Sequence, residues 1–167
     1  MSPTVIVAAV ITLLVLGIGG GTTQVGAWYK ALRKPRWNPP GWAFAPAWTL
    51  ILGLAAWSGV IAWQRAPEAH LRIGLLFGAN IVFHLLWSPL FFTAKRPDWA
   101  LAEVPFLWGS ILALMIGLAP ISTQSALLLT PYLAWVSFAA FLNLVLVRMN
   151  APFGRSAALG LRGQALD

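Results

Sequence analysis

The chain has 167 residues, 59% of them hydrophobic and only 9% charged, with a mean hydropathy of +0.78, which excludes an ordinary soluble domain and places it among integral membrane proteins. Its formal charge is +7, yet the cations cluster between apolar runs, where membrane topology accounts for them, and no basic soluble module remains to bind nucleic acid. Cysteine is absent, which removes disulfides, thiolate metal sites, Fe–S clusters and a thiol nucleophile.

The first apolar run carries no Lys, Arg, Asp or Glu before Lys30. It therefore lacks the positive start of a cleaved secretory signal and is predicted as a retained transmembrane helix, about Pro3 to Ala27. Four further helices are predicted at Ala43 to Gln64, His70 to Thr93, Trp99 to Ala119 and Ser125 to Val147. Each is about 20 to 25 residues long, enough for a hydrocarbon core of roughly 30 Å with some tilt. The uncharged stretch Val104 to Val147 is too long for one span, and Pro120-Ile121-Ser122-Thr123-Gln124 supplies a turn that divides it. The other breaks are Arg65-Ala66-Pro67-Glu68 and Lys95-Arg96-Pro97-Asp98, where Asp98 is placed to cap the fourth helix. The predicted fold is an all-α membrane bundle of five transmembrane helices over residues 1–150, with a short basic C-terminal tail over 151–167.

Between the first two helices, Trp28 to Trp42, continued by Phe44, Pro46 and Trp48, concentrates indoles, cations and prolines. Pro35, Pro39, Pro40 and Pro46 fix φ and withhold backbone donors, so a stiff, irregular lid loop is expected there. Lys30, Arg33, Lys34 and Arg36 keep it in water and can pair with ligand carboxylates, while Trp28, Trp37, Trp42 and Trp48 can anchor at the membrane surface or stack on a planar guest. Five spans put Lys30, Arg33, Lys34, Arg36, Lys95, Arg96, Arg148, Arg155 and Arg162 on one side and Arg65 and Arg72 on the other. By the positive-inside rule, the lid and C-terminus are cytoplasmic and the N-terminus outside, provided the membrane is an inner one.

On the third helix Asn80, His84, Trp87 and Phe91 recur at helical spacing and share one face, which should point inward because polar groups in lipid need a partner or a cavity. For His84 the choices are a hydrogen-bonded imidazole within the bundle, contact with a ligand, or metal ligation; His70, at a helix end, makes a bis-His haem site unfavourable. Trp135, Phe138, Ala139 and Leu142 form a stripe on the fifth helix, with Asn143 beside it. Gly74 and Gly78 allow close helix approach, within the bundle or at a homodimer seam. The acids are Glu68, Asp98, Glu103 and Asp167, none spaced as a catalytic pair. Glu103 is either an interfacial helix-start acid or a buried partner for an indole or amide.

The residues Trp28-Tyr29, Leu32, Lys34-Pro35, Trp37, Pro39-Pro40, Trp42, Pro46 and Trp48 match the signature of the tryptophan-rich TspO/translocator protein family, formerly called peripheral benzodiazepine receptors. The resemblance continues through Trp87-Ser88-Pro89-Leu90-Phe91-Phe92, Trp99-Ala100-Leu101 and Pro131-Tyr132-Leu133-Ala134-Trp135, with Ala139, Leu142 and Asn143. It implies a five-helix bundle with a pocket under the lid that binds porphyrins, sterols and synthetic isoquinoline or benzodiazepine-type ligands. The pocket positions it implies are Tyr29, Trp37, Pro39, Trp48, Leu52, His84, Trp87, Ser88, Trp135, Ala139 and Leu142.

The same resemblance implies a receptor contributing to tetrapyrrole transport, pigment regulation or stress response in a bacterial envelope. Porphyrin or haem would be ligands rather than obligatory cofactors, and no metal site is expected. Two alternatives stand beside it: an autonomous tetrapyrrole or sterol transporter, and light-dependent protoporphyrin breakdown using Trp48 and Trp135. This chain departs from the pattern in carrying His84 where the family usually has Asn, and Leu144 where the sterol motif of animal members has tyrosine. On this reading Trp48 and Trp135 converge to sandwich a broad conjugated guest.

Overall fold

A computed structural model describes residues 2–153. The expected tail, with Arg155, Arg162 and Asp167, lies outside the described residues apart from its first three positions. Seven α-helices form: α1 Pro3–Thr22, α2 Ala27–Ala31, α3 Gly41–Arg65, α4 His70–Ser88, α5 Pro97–Leu118, α6 Thr123–Leu127 and α7 Thr130–Asn150. A 3-10 turn, Pro67–Ala69, precedes α4, and a π turn, Pro89–Thr93, extends it. Five of the resulting segments are long and apolar enough to cross a membrane. The protein is an integral multi-pass membrane protein, and the predicted five-span, all-α class is the one observed.

Around the bundle the spans run α1, α3, α7, α5, α4 and back to α1, with α3 also touching α4. At the centre of the packing is α5, whose Ala100, Val104, Leu107, Ile111, Leu114 and Leu118 recur every three or four residues and are all buried. By contrast α1 buries only Val15 and exposes Ile6, Val10, Leu13, Leu14 and Ile18. Lipid tails are as apolar as these side chains, so such a helix gains little by burial and packs loosely.

Helix ends differ from expectation where local hydrogen bonds decide. The first helix stops at Thr22 and not Ala27, because the Thr22 and Thr23 hydroxyls donate to the carbonyls of Ile18 and Gly19 (3.0 and 2.7 Å) and turn the chain out. Pro46, expected to break the helix, lies inside α3. It deprives only the Trp42 carbonyl, one turn from an exposed start, so the helix tolerates it. Asp98 does not cap α5: Arg96 is the N-cap residue, and Asp98 pairs with the Arg96 guanidinium, which also covers the Trp99 ring at 4.3 Å. The last predicted helix is divided at Leu128–Leu129, because Pro131 cannot donate back to Leu127. Ser122 ends the preceding turn by accepting from Ser125 N–H at 3.2 Å, capping α6.

The lid is tied down at both ends. The Thr23 and Ser88 hydroxyls share a hydrogen bond of 2.7 Å, joining the end of α1 to the end of α4. On the far side, Arg33 N–H donates to Asn150 Oδ1 at 2.8 Å while Asn150 Nδ2 donates to the Arg33 carbonyl at 2.9 Å. These bonds hold the irregular segment across the end of the bundle that carries most of the described cations.

Candidate functional site

A ladder of aromatic rings descends from the lid into the bundle. Trp37 stacks on Phe141 (5.5 Å between centroids, 13° between planes) and meets Phe138 edge-on at 5.9 Å. Phe138 lies 5.7 Å from Trp135, Trp135 lies 6.3 Å from Trp48, and Trp48 lies 4.9 Å from His84. Helical spacing produces this: Trp135 and Phe138 are one turn apart on α7, and α3 sets Trp48 between α7 and α4. The expected convergence of Trp48 and Trp135 has a specific form. Their planes are 83° apart, so a flat guest can stack on one indole only while meeting the other at its edge, and no parallel slot separates them.

His84 ends the ladder. Its Nδ1 is 3.1 Å from the hydroxyl of buried Tyr132, whose own ring lies edge-on to Trp48 at 6.2 Å. One helical turn earlier, Asn80 donates to Ser110 Oγ at 2.9 Å, satisfying a polar group that lipid would not. His70, the other histidine, stacks on Trp63 at 3.8 Å and hydrogen-bonds the Trp63 carbonyl, remote from His84.

Two hollows flank the ladder. One, about 610 Å³, lies between α1, α3 and α4 and is bordered by Val7, Ile11, Val15, Leu52, Ala55, Trp63, Phe77, Asn80 and His84. Gly74 and Gly78 also border it, under α1. The other, about 420 Å³, follows the outer seam of α3 and α7 along Leu50, Ile51, Ala134, Trp135 and Phe138. Trp48 stands between them, touching His84 of the first and Trp135 of the second. Of the positions expected to form one pocket, Leu52 and His84 border the inner hollow and Trp135 the outer.

Tyr29, Trp87, Ser88 and Leu142 gather instead at a second aromatic cluster. Phe91 and Phe92, both buried, take Trp28 and Tyr29 edge-on or tilted; Phe91 stacks with Trp87 at 5.0 Å and Phe92 meets Trp87 edge-on at 6.1 Å, while Leu142 and Leu146 complete the group. Burial pushes the Tyr29 phenol up from its usual value, so it stays protonated. Ser88 is committed to Thr23, and half-buried Pro39 accepts from Asn38 Nδ2 at its carbonyl (2.8 Å). Ala139, also half-buried, follows Phe138 on α7.

The four lid cations divide in use. Lys34 Nζ donates to the carbonyls of Tyr29 and Leu32 and sits 4.4 Å over the Tyr29 ring. Its charge organises the loop. Lys30 and Arg36 are exposed and make no side-chain hydrogen bond among the described residues, as does the Arg33 side chain. Glu103 is buried, with both carboxylate oxygens unpartnered among the described residues, and Trp135 Nε1 is likewise unpartnered among them. No group of three or more His, Asp or Glu that could hold a metal occurs among the described residues.

Sequence reasoning assigned no role to Tyr132, although it lies three residues before Trp135 on the same helix face. It also missed Asn150, whose amide looks like an ordinary helix-end residue until the lid is folded back on it. Asn143 was placed beside the α7 stripe; it is fully buried, and its amide, suitably oriented, donates to the Pro97 carbonyl and accepts from Leu101 N–H, both at 3.1 Å.

The model of the TspO/MBR family matches residues 6–149. The chain is 35% identical over 143 residues to the tryptophan-rich protein TspO of Chlorobaculum tepidum, covering 82% of this chain and 90% of that one. It is 35% identical over 127 residues to the translocator protein of Sus scrofa, covering 74% and 75%. It is 34% identical over 131 residues to the tryptophan-rich sensory protein of Cereibacter sphaeroides, covering 78% and 82%.

Proposed function

The chain belongs to the TspO/MBR family, and from that premise we propose that it is a membrane receptor whose ligands are tetrapyrroles and similarly flat, amphipathic molecules, sterol-like and isoquinoline or benzodiazepine-type compounds included. The five spans and the names of the relatives support a membrane receptor or regulator. The observation that carries the ligand class is the ring ladder from Trp37 to His84 with a hollow on each side. Indole faces suit conjugated rings, and the 610 Å³ hollow falls in the roughly 300–1,000 Å³ range of small-molecule sites. Lys30, Arg33 and Arg36 at the rim attract ligand carboxylates.

In this reading the lid end faces the cytoplasm of a bacterial envelope, the protein forms a homodimer, and it contributes to tetrapyrrole transport or pigment regulation through partners. Equilibrium titration of the purified protein with protoporphyrin, haem, a sterol and a bilin tests it. Saturable quenching of tryptophan fluorescence by the tetrapyrroles is expected; none with any of the four contradicts it. Flux of protoporphyrin in proteoliposomes without a partner would instead favour autonomous transport.

A second reading, light-dependent porphyrin breakdown, is favoured by the direct contact of the two indoles at 6.3 Å. Irradiating bound protoporphyrin with wild type, Trp48→Phe and Trp135→Phe decides it: equal loss in all three rules out participation of the indoles.

A further inference from the structure

A phenol and an imidazole inside the bundle set what the inner hollow can offer a ligand. Tyr132 is 1% exposed, and the one acceptor its hydroxyl meets among the described residues is His84 Nδ1, at 3.1 Å. A buried O–H left without an acceptor costs about 1–3 kcal/mol, so the phenol proton points at Nδ1. In a neutral imidazole one nitrogen accepts and the other carries the proton. With Nδ1 accepting, the proton is on Nε2. That nitrogen has no partner among the described residues, and the ring borders the 610 Å³ hollow. The neighbouring amide of Asn80 is held by Ser110, to whose Oγ its Nδ2 donates.

We infer that Tyr132 fixes His84 as the Nε2–H tautomer, so this wall of the hollow presents a hydrogen-bond donor to a ligand carbonyl or carboxylate oxygen and withholds the lone pair that a metalloporphyrin iron would need. The inference rests on the ligand-binding reading above for its consequence, and on the Tyr132–His84 contact alone for the tautomer. Histidine binds a metal through an unprotonated ring nitrogen, and which nitrogen is free depends on the bond made by the other. Tyr132 is thus a positioning residue that discriminates a metal-free tetrapyrrole from its iron complex.

The test uses the full chain in lipid nanodiscs, labelled with ¹⁵N histidine, and needs no ligand in its first arm. Two-bond ¹⁵N–¹H correlations separate the tautomers, and His84→Asn identifies which signals are not those of His70. Wild type should show Nε2–H at His84, and Tyr132→Phe should release it to a mixture. An Nδ1–H ring in wild type, or an unchanged tautomer in Tyr132→Phe, overturns the inference.

The second arm titrates protoporphyrin IX and its iron complex. Metal-free binding by Tyr132→Phe should stay within about threefold of wild type, the scale of one ordinary hydrogen bond. Iron porphyrin should bind wild type without an iron–histidine resonance Raman band, tighten by about tenfold in Tyr132→Phe with that band present, and lose it in Tyr132→Phe/His84→Asn. An iron–histidine band in wild type, or no gain in Tyr132→Phe once its tautomer is released, overturns the discrimination. If no variant binds either porphyrin while wild type shows Nε2–H, the tetrapyrrole reading and the discrimination fail and the tautomer assignment stands.

Discussion

Asn150, at the last turn of α7, holds the backbone of Arg33 by both of its polar atoms: Oδ1 accepts from the Arg33 N–H and Nδ2 donates to the Arg33 carbonyl. The pair bridges 117 residues of chain and is the clamp that keeps the lid across the bundle mouth. Asn150→Ala should remove about 1–3 kcal/mol of local stability, two ordinary hydrogen bonds, without unfolding the spans. Amide hydrogen exchange of residues 28–37 should speed up about tenfold or more while α5 is unchanged. Unaltered exchange in the lid would show that other contacts hold it.

Lys34 and Lys30 are four residues apart but should respond differently to loss of charge. Lys34→Gln removes the donor to the Tyr29 and Leu32 carbonyls and should weaken ligand binding at every salt concentration by disordering the loop. Exposed Lys30 acts at long range. Lys30→Gln should lower the association rate at low ionic strength and match wild type at about 1 M salt, where the Debye length is roughly 3 Å. Stopped-flow fluorescence across a salt series separates the two behaviours, and identical salt dependence would refute the division.

Glu103 and Asn143 are both buried polar residues, but among the described residues only Asn143 has partners. Both Glu103 oxygens are unpaired, so Glu103→Gln should leave the thermal midpoint in detergent unchanged or raised. Asn143→Ala strands the Pro97 carbonyl contact and opens a gap beside α5 and should cost about 1–3 kcal/mol. A midpoint lowered more by Glu103→Gln than by Asn143→Ala would mean that the carboxyl has a partner in the membrane.

Gly74 distinguishes the two hollows as ligand sites. It borders the inner one, and a Cβ built on it meets nothing within 4 Å. Gly74→Leu should therefore fill that space and improve helix propensity by about 1 kcal/mol. Porphyrin affinity should fall at least about tenfold with thermal stability kept or raised. Unchanged affinity would move the ligand to the Trp135 side.

Much of the bundle was legible because lipid enforces it: uncharged runs of sufficient length and their breaks locate the five spans. His84, Asn80 and Phe91 could be assigned to an inward face from their spacing alone. Local hydrogen bonding was less legible, since the Thr22 and Thr23 hydroxyls, and the donor missing at Pro131, shift helix ends against continuous apolar runs. Pro46 misled in the opposite direction, because a proline near a helix start costs one hydrogen bond and not the helix. The inner hollow could not be foreseen. Its α1 wall is apolar on every face, so no periodicity marks which residues turn inward. Tyr132 and Asn150 acquire roles only through partners 48 and 117 residues away.

The most direct test of the ring ladder as the ligand site is the protoporphyrin dissociation constant of Trp48→Ala, the indole between the two hollows, against Trp57→Ala, whose indole is half exposed on the lipid side of α3. Loss of a stacking indole is worth roughly 1–3 kcal/mol, so Trp48→Ala should weaken binding about 5- to 100-fold while Trp57→Ala stays at wild-type affinity. Equal affinity of both variants and wild type would contradict the proposed site.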